Sequence, residues 1–479
     1  MSLKSSWKDE CGIFGIWNHA EAAKLAYLGL YAMQHRGQES AGIVTLDTHG
    51  YKPAHKVHKS LGLVADVFNE NILNKLTGSA AIGHVRYSTT GDNLIANAQP
   101  LCSILLSGPV ALAHNGNIVN ASILRKALQS EGAIFQATND TEVLLHLLAK
   151  NPSNHLVTAL IESLKKISGA YSFTILAHDR LLAVRDPFGF RPLVLGQIKS
   201  ALGIGYVIAS ETCAFDLIGA QYLREVEPGE IIEITAEGLK SFNFKSEKSV
   251  KHKTAHCVFE HVYFARPDSV VFGKSVYSSR KKFGEQLAIE SGIDADVVIP
   301  VPDSGVPSAI GYSQKSGIPF EFGIIRNHYI GRTFIQPAQS IRDIGVKIKL
   351  NPQPEILKGK RVIVIDDSLV RGTTSQKIIH LIRQAGAREV HLRIASPPTT
   401  GPCYYGVDTP QKSELIASNN SLEQIRDYIG ADSLAYLSEK GMWQAINSGP
   451  ENFCAACFNG DYPTSLEGVE NKKIQENKI

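Results

Sequence analysis

Residues Val362–Ile365 form an unbroken run of four aliphatic side chains that stops at two acids, Asp366 and Asp367. Branching at Cβ stiffens χ1 and favours extended backbone, and a strand with no polar alternation must be buried on both faces. A chain carrying such a run has to build a layered α/β domain around it. The two acids then stand at the strand's carboxyl end, where open α/β sheets bind ligands. Gly372-Thr373-Thr374-Ser375 follows and opens a helical stretch over Gln376–Ala385. Backbone N–H groups, hydroxyls and the positive end of a helix dipole therefore face the same place. Carboxylates beside a phosphate cradle suit a ligand that also carries ribose hydroxyls and a magnesium ion. A capped helix would use Asp and Thr too, but has no need of two adjacent acids. The P-loop pattern is excluded, because Asp268 stands where Gly273-Lys274-Ser275 would need its leading glycine.

Val297–Val301, a Pro-Asp-Ser-Gly loop and helical Pro307–Lys315 read as a second strand–helix unit, so a parallel sheet covered on both faces is predicted. The first half has a different rhythm. Ala22–Gln34 has helical spacing through Leu25, Leu28 and Met33, and Glu142–Lys150 reads as a largely buried helix. Ala80–Val85, Val110–His114 and Tyr171–Ala177 are short apolar runs that suit strands. Arg185–Pro192 is rich in turn formers between two strand-like runs, which predicts a hairpin connection. Ser241–Lys253 is polar and basic, a connector, and the tail after Tyr462 is charged and expected to fray.

At 479 residues the chain has room for two or three domains. A formal charge of +3 is far from a nucleic-acid-binding signature, so no nucleic-acid partner is expected. Apolar runs are broken by proline well short of the roughly 18 residues of a membrane span. Met1–Glu10 is too short and polar for a secretory signal, which makes a reducing cytoplasm the expected compartment. Seven cysteines at wide spacings do not form a disulfide framework.

Cys11 lies in Asp-Glu-Cys-Gly-Ile-Phe-Gly. Cleavage after Glu10 would place thiol and α-amine on one residue, and an amine titrating near ~7.7–8.0 can accept the proton of a thiol near ~8.5. Alone, Cys11 reads as a small buried hydrophobe. Four further motifs follow in order: Gln34–Gly42, Gly83–Thr89, His114-Asn115-Gly116-Asn117 and Asn139-Asp140-Thr141-Glu142. Together they resemble the glutaminase domain of class II glutamine amidotransferases, the N-terminal-nucleophile group, from Cys11 to Lys245. The resemblance implies that Cys11 is the nucleophile and its α-amine the base. It implies further that the Asn115 side chain and Gly116 N–H form an oxyanion hole, that Arg86 grips the substrate carboxylate and Asp140 its amine, and that Gly37 also contacts substrate. Taken singly, Arg86 reads as a surface ion pair and Asp140 as a cap on the helix beginning near Glu142. His35, His84 and His114 are unassigned, structural histidines being the commoner case.

Val362–Ser375 resembles the signature of type I phosphoribosyltransferases. That implies ribose and magnesium contacts from Asp366 and Asp367, with Ser368, Arg371, Gly372, Thr373 and Thr374 lining the remainder of the phosphoribosyl site. Val301-Pro-Asp303-Ser304-Gly305 matches the family's pyrophosphate loop, with Ser304 contributing to the Mg2+ site. Arg326–Thr333, including Arg332, matches the loop that closes over substrate. A glutaminase ahead of a phosphoribosyltransferase is similar to the glutamine phosphoribosylpyrophosphate amidotransferase family. The implied fold is an N-terminal-nucleophile αββα sandwich (α+β) followed by a type I phosphoribosyltransferase parallel-sheet (α/β) domain. The implied division is a propeptide over 1–10, a glutaminase over 11–245, a phosphoribosyltransferase over 254–462 and a flexible tail over 463–479. The implied activity opens purine synthesis with glutamine and phosphoribosyl pyrophosphate. Purine nucleotides would inhibit it, and the assembly would be a homo-dimer or homo-tetramer, with no membrane partner. A non-catalytic regulator would not need Asp366-Asp367 and Ser304 intact, and sugar-phosphate aminating relatives lack the Asp-Asp…Gly-Thr-Thr signature.

Cys454-Ala-Ala-Cys457 leaves a redox dithiol, a Cys₄ zinc site and an iron–sulfur cluster open. The surroundings of Cys257 and Cys403, and Phe458 after the Cys-x-x-Cys pair, resemble the iron–sulfur subgroup of the same family. That implies a 4Fe-4S cluster on Cys257, Cys403, Cys454 and Cys457. Cys102 and Cys213 read as ordinary buried cysteines.

Overall fold

A computed structural model describes residues 11–46, 54–87, 94–151, 153, 155–244, 254–327 and 350–466. The predicted propeptide and most of the predicted closing loop, Arg332 included, lie outside these residues.

The first half contains strands β1 (Gly12–Trp17), β2 (Ser40–Leu46), β3 (His55–Leu61), β4 (Ala80–Arg86), β5 (Leu101–Leu105), β6 (Gly108–Ile118) and β7 (Gly169–Ala177). They are followed by β8 (Arg180–Arg185), β9 (Val194–Ser200), β10 (Gly203–Ala209), β11 (Gln221–Glu225), β12 (Glu230–Thr235) and β13 (Gly238–Asn243). One sheet runs β11-β9-β10-β1-β4-β2-β3 and the other β13-β12-β8-β7-β6-β5. Ile13, Ile82, Ala111, Leu176, Leu181 and Ile208 fill the space between the sheets. The Ala22–Ala32 helix covers the first sheet through Ala26 and Leu30, and the Glu142–Lys150 and Leu156–Leu164 helices cover the second through Leu144, Leu148 and Leu160. Helix, sheet, sheet and helix stack in that order, the αββα sandwich predicted from the motifs.

Two local expectations change. The Arg185–Pro192 segment is no hairpin, because β8 belongs to one sheet and β9 to the other. Its turn chemistry instead makes a buried corner. The Asp186 carboxylate accepts N–H bonds from Tyr171 (3.2 Å), Phe188 (2.9 Å) and Phe190 (3.1 Å). Arg185 donates to the carbonyls of Gly189 (3.0 Å), Arg191 (3.0 Å) and Val226 (2.6 Å). The predicted connector also starts later, since Ser241–Asn243 pair with β12 as the end of edge strand β13. Their polar side chains reflect an exposed edge.

The second half begins with β14 (His256–Cys257) and a short hairpin of β15 (Val270–Val271) and β16 (Lys274–Ser275). Then come β17 (Val297–Pro300), β18 (Ile324–Arg326), β19 (Leu350–Pro352), β20 (Arg361–Asp366), β21 (Glu389–Ile394), β22 (Ser433–Tyr436) and β23 (Phe453–Cys454). β17, β20, β21 and β22 form a parallel sheet in that order. Strand β20 is buried on both faces, as its composition requires. Ile363 and Ile365 pack with Phe283, Leu287 and Tyr312, whereas Val362 and Val364 pack with Ile378, Ile382 and Ile425. Phe320 makes a parallel bridge to Val298 on the outer edge of β17. The chain order across the sheet is thus 320, β17, β20, β21, β22, and it reverses between β17 and β20. Such a switch point leaves a crevice at the strands' carboxyl ends.

Candidate active sites

Cys11 opens β1, the strand flanked by β10 and β4. Its thiol is buried and donates to the Tyr87 carbonyl at 3.5 Å. Burial pushes the thiol up to about 11, with Arg86 pulling it down and Asp140 and Glu39 pushing it up. At neutral pH the thiol holds its proton, so a nucleophile here requires a base at hand. Asn115 and Gly116 come from β6 in the other sheet. The Asn115 amide donates to the Ser210 hydroxyl at 3.3 Å, and that hydroxyl accepts the Ile13 N–H at 3.0 Å. Ser210 therefore ties the oxyanion-hole candidate to the strand that begins at Cys11. Gly116 has φ +147°, and a Cβ there would stand 2.1 Å from the Ala170 carbonyl oxygen, so the position admits glycine alone.

Arg86 ends β4 and is buried, with Glu39 at 4.0 Å, which removes the surface-ion-pair reading. Gly37 lies against its backbone, where a Cβ would come within 2.6 Å of the Arg86 nitrogen. Asp140 does not cap the helix at Glu142; its carboxylate accepts the Ile118 N–H at 2.7 Å, while Asn139 receives the Glu142 N–H. Burial raises the Asp140 carboxyl, but His114 and this backbone bond outweigh it and hold the group below the usual carboxylate range. The histidines engage the surrounding protein. His114 Nδ1 meets the Thr141 hydroxyl at 3.0 Å, and His84 Nε2 meets the His114 carbonyl at 2.9 Å. All six residues predicted for the glutaminase site converge around the start of β1.

At the switch point, Asp366 ends β20 and is followed by Asp367 and Ser368, all buried. The Asp366 carboxyl is raised well above its ordinary value by burial and by the neighbouring Asp367 charge. Burial raises Asp367 too, against hydrogen bonds from Ser304 and Ser368. Ser304, in the loop after β17, lies beside these acids. Among the described residues neither carboxylate has a Lys or Arg within ion-pair distance. Gly372 adopts φ +74° and leads into the Thr373–Gln384 helix, leaving Thr373 and Thr374 exposed at its first turn. Arg371 donates to Glu414 at 3.1 Å. Arg326 pairs with Asp303 at 2.6 Å, joining the start of the predicted closing loop to the pyrophosphate-loop position.

The four cysteines expected as cluster ligands line one small cavity, walled also by Phe190, Phe259, Tyr405 and Tyr462. Parallel pairing of β14 with β23 sets Cys257 opposite Cys454. The Tyr405 N–H donates to Cys403 Sγ at 3.3 Å. Burial pushes the Cys454 thiol up to about 12, and the Cys457 thiol is raised well above normal by burial and the three neighbouring thiols. Among the described residues, no three His, Cys, Asp or Glu groups gather as they would around a single metal ion. Cys213 is buried as expected, but Cys102 is exposed, facing outward from β5.

A glutamine amidotransferase domain model matches residues 84–216, and a phosphoribosyl transferase domain model matches residues 284–400. Amidophosphoribosyltransferase 1, chloroplastic, of Arabidopsis thaliana is 51% identical, over 97% of this chain and 81% of its own length. The amidophosphoribosyltransferase of Bacillus subtilis is 48% identical, over 96% of this chain and 95% of its own. The chain belongs to the amidophosphoribosyltransferase family. Amidophosphoribosyltransferases are the glutamine–phosphoribosyl pyrophosphate amidotransferases of purine biosynthesis, and both of their domains are present here. A solved B. subtilis glutamine phosphoribosylpyrophosphate amidotransferase, complexed with ADP and GMP, superposes with a TM-score of 0.89 at 47% identity, covering 96% of this chain and 99% of that one. A second, described as the allosteric regulatory enzyme of purine biosynthesis, gives a TM-score of 0.90 at 46% identity, covering 97% and 99%.

Three residues of this amidophosphoribosyltransferase fold that bear on the site were not predicted: Ser210, Arg36 and Glu260. Arg36 is fully buried. Its Nε donates to the Cys11 carbonyl at 3.1 Å and its Nη1 to Glu211 at 2.6 Å. Nη1 and Nη2 also reach Glu260 at 2.9 and 2.7 Å. His35 lies 2.8 Å from Glu211, and Arg191 3.6 Å from Glu260. Burial would raise the Glu211 carboxyl, yet His35 and Arg36 hold it well below the usual range. The Gln-His-Arg-Gly motif carried a signal for Arg36; Glu260 had none beyond its proximity to Cys257.

Proposed function

We propose that this chain hydrolyses glutamine at Cys11 and passes the ammonia to phosphoribosyl pyrophosphate at the β20 switch point, giving 5-phosphoribosylamine, glutamate and pyrophosphate. The carrying observation is the Asn115–Ser210–Ile13 link, which sets an oxyanion donor from one sheet against the nucleophile strand of the other. Removal of residues 1–10 supplies the α-amine that takes the Cys11 proton. The thiolate attacks the carboxamide carbon, and the oxygen gains charge between the Asn115 amide and the Gly116 N–H, a donor of this type being worth about 3–4 kcal/mol. Ammonia leaves, and water releases glutamate from the thioester. Arg86 and Asp140 hold the substrate's carboxylate and amine, with Gly37 against its backbone.

In the second site, Asp366 and Asp367 take the ribose hydroxyls, while Ser368, Arg371, Gly372, Thr373 and Thr374 complete the phosphoribosyl contacts. Arg332 belongs to the closing loop. Two buried carboxylates with Ser304 beside them form a hard-oxygen set that fits Mg2+. When bound, Mg2+ would neutralise the pyrophosphate leaving group. Ammonia attacks the ribose C1 as pyrophosphate departs. We assign the glutaminase to 11–245 and the phosphoribosyltransferase to 254–462.

Four thiols around one apolar cavity fit a 4Fe-4S cluster on Cys257, Cys403, Cys454 and Cys457, because a cubane places each thiolate on a different iron. The cluster would tie three distant segments together. Nucleotides bound to the solved B. subtilis relative support purine nucleotides as inhibitors, and a homo-dimer or homo-tetramer is the assembly we infer. No helix among the described residues is long and apolar enough to cross a membrane, and seven free cysteines suit a reducing cytoplasm.

Incubation with glutamine, phosphoribosyl pyrophosphate and Mg2+ should yield glutamate and pyrophosphate in equal amounts, with about four irons per chain in anaerobically purified protein. Stoichiometric zinc in a colourless, active protein would replace the cluster with a structural Cys₄ site.

A further inference from the structure

The nucleophile strand is held from outside its own domain. Arg36 donates to the Cys11 carbonyl, and its guanidinium is shared between Glu211 and Glu260. Glu260 belongs to the second half, 224 residues from Arg36. Both side chains are fully buried, so their fork-to-carboxylate bonds are unscreened by water. Glu260 opens a single π-helical turn, Glu260–Phe264, a wide geometry that recurs at functional sites. The turn is gripped by a second buried arginine. Arg280 donates through Nε to the His261 carbonyl at 2.9 Å and through Nη2 to the Ala265 carbonyl at 2.8 Å. Its own carbonyl accepts the Ser308 hydroxyl at 2.9 Å, from the helix that follows the Ser304 loop. Burial pulls the Arg280 guanidinium down to about 10, against the opposing influence of the Asp367 charge.

We propose that Glu260 is a positioning residue for glutamine hydrolysis: through Arg36 it fixes the Cys11 backbone, and through the π-turn and Arg280 it is joined to the helix that follows the Ser304 loop of the phosphoribosyl site. This rests on the reading of Cys11 and Asp366-Asp367 given above. Substrate seating against the Ser304 loop reaches Arg280 through the Ser308 hydroxyl on the following helix. Arg280 holds the two carbonyls that bracket the π-turn. Glu260, at the head of that turn, then sets how firmly Arg36 grips Cys11.

The test compares glutamine-dependent and ammonia-dependent synthesis, with and without phosphoribosyl pyrophosphate, in the full-length, processed enzyme. Glu260→Gln keeps shape and one acceptor but removes the charge. Its kcat for glutamine should fall about tenfold or more, with KM within about twofold, as for loss of reactant positioning. Stimulation of glutamine hydrolysis by phosphoribosyl pyrophosphate should disappear, while ammonia-dependent synthesis stays within about twofold of wild type. Glu260→Asp should recover part of the stimulation. Where Glu260→Gln also loses the ammonia reaction through misfolding, Arg36→Lys is read instead, since lysine keeps the charge but lacks the rigid fork that bridges Cys11, Glu211 and Glu260. The inference is overturned if either folded variant keeps full stimulation, or if both variants lose the ammonia reaction. Cys11→Ala separates the two levels: glutamine-dependent synthesis surviving in that variant would sink the reading of the site itself.

Discussion

Around Cys11 the protein answers its buried carboxylates from within. Glu211 and Glu260 share Arg36, with His35 and Arg191 beside them, and Asp140 lies by His114. At the end of β20, two adjacent carboxylates are buried and pushed upward, with Ser304 and Ser368 as neutral neighbours. The difference matches what each site must receive. A site for a neutral amide has its charges settled beforehand, whereas a site for a polyanion and a dication keeps its acids in reserve. Stability is concentrated in the first arrangement, and unspent binding capacity in the second.

The largest effect expected is on Cys11. Cys11→Ala should lower glutamine-dependent synthesis by about 10⁴-fold or more while leaving ammonia-dependent synthesis intact, measured as phosphoribosylamine formation. If both activities fall in a folded variant, the two sites are not separable. Next, Asp366→Asn with Asp367→Asn should remove both activities, on the order of 10³-fold, by deleting the ribose and metal contacts. The same double variant should gain about 1–2 kcal/mol of stability at pH 7 by urea unfolding, because costly buried charges are gone. Glu211→Gln should do the reverse, losing about 3–5 kcal/mol, because the buried Arg36 and Arg191 would then share the single carboxylate of Glu260.

The smallest effect is a difference in pH dependence. Glu211 has a folded pKa below its unfolded value near about 4.3, so its stabilisation is present above that pH and fades as pH falls toward the folded value. Asp366 and Asp367 are raised, so their contribution is fullest below about pH 3.9 and is lost as pH rises through their folded values. The stability advantage of the Asp366→Asn/Asp367→Asn variant should therefore shrink on acidification from pH 8 toward 4. An advantage that is constant with pH would mean that the acids are not the strained element.

Much of this was legible in sequence because the informative residues sit together. Val362–Thr374 combines strand, acids and helix start in one stretch, and the apolar run of Ala80–Val85 ends on Arg86. Legibility failed where meaning depended on distant partners. Arg185–Pro192 carries turn chemistry, but turn chemistry does not say which sheets the flanking strands join, and a corner was read as a hairpin. Ser241–Asn243 looked like linker because an exposed edge strand has little apolar content to show. Glu260 was invisible as a site residue, since its partner Arg36 lies 224 positions away and an isolated glutamate has no periodicity.

The short pairing of β14 with β23 has a consequence for how the molecule is made. Thr254 bonds the Asn452 carbonyl, and Cys257 faces Cys454, across 198 positions in the first case. At roughly 5–20 residues per second, a ribosome takes roughly 10–40 s to travel that far. For that interval the leading half is out of the tunnel while the junction below it stands open, with Cys257 lacking its opposite number. A chain stopped before Phe453 never closes that seam, and so presents an unpaired backbone edge and a bare thiol pocket to the cell's proteases and chaperones. Strand β23, made long after β14, thus closes the seam that β14 opens.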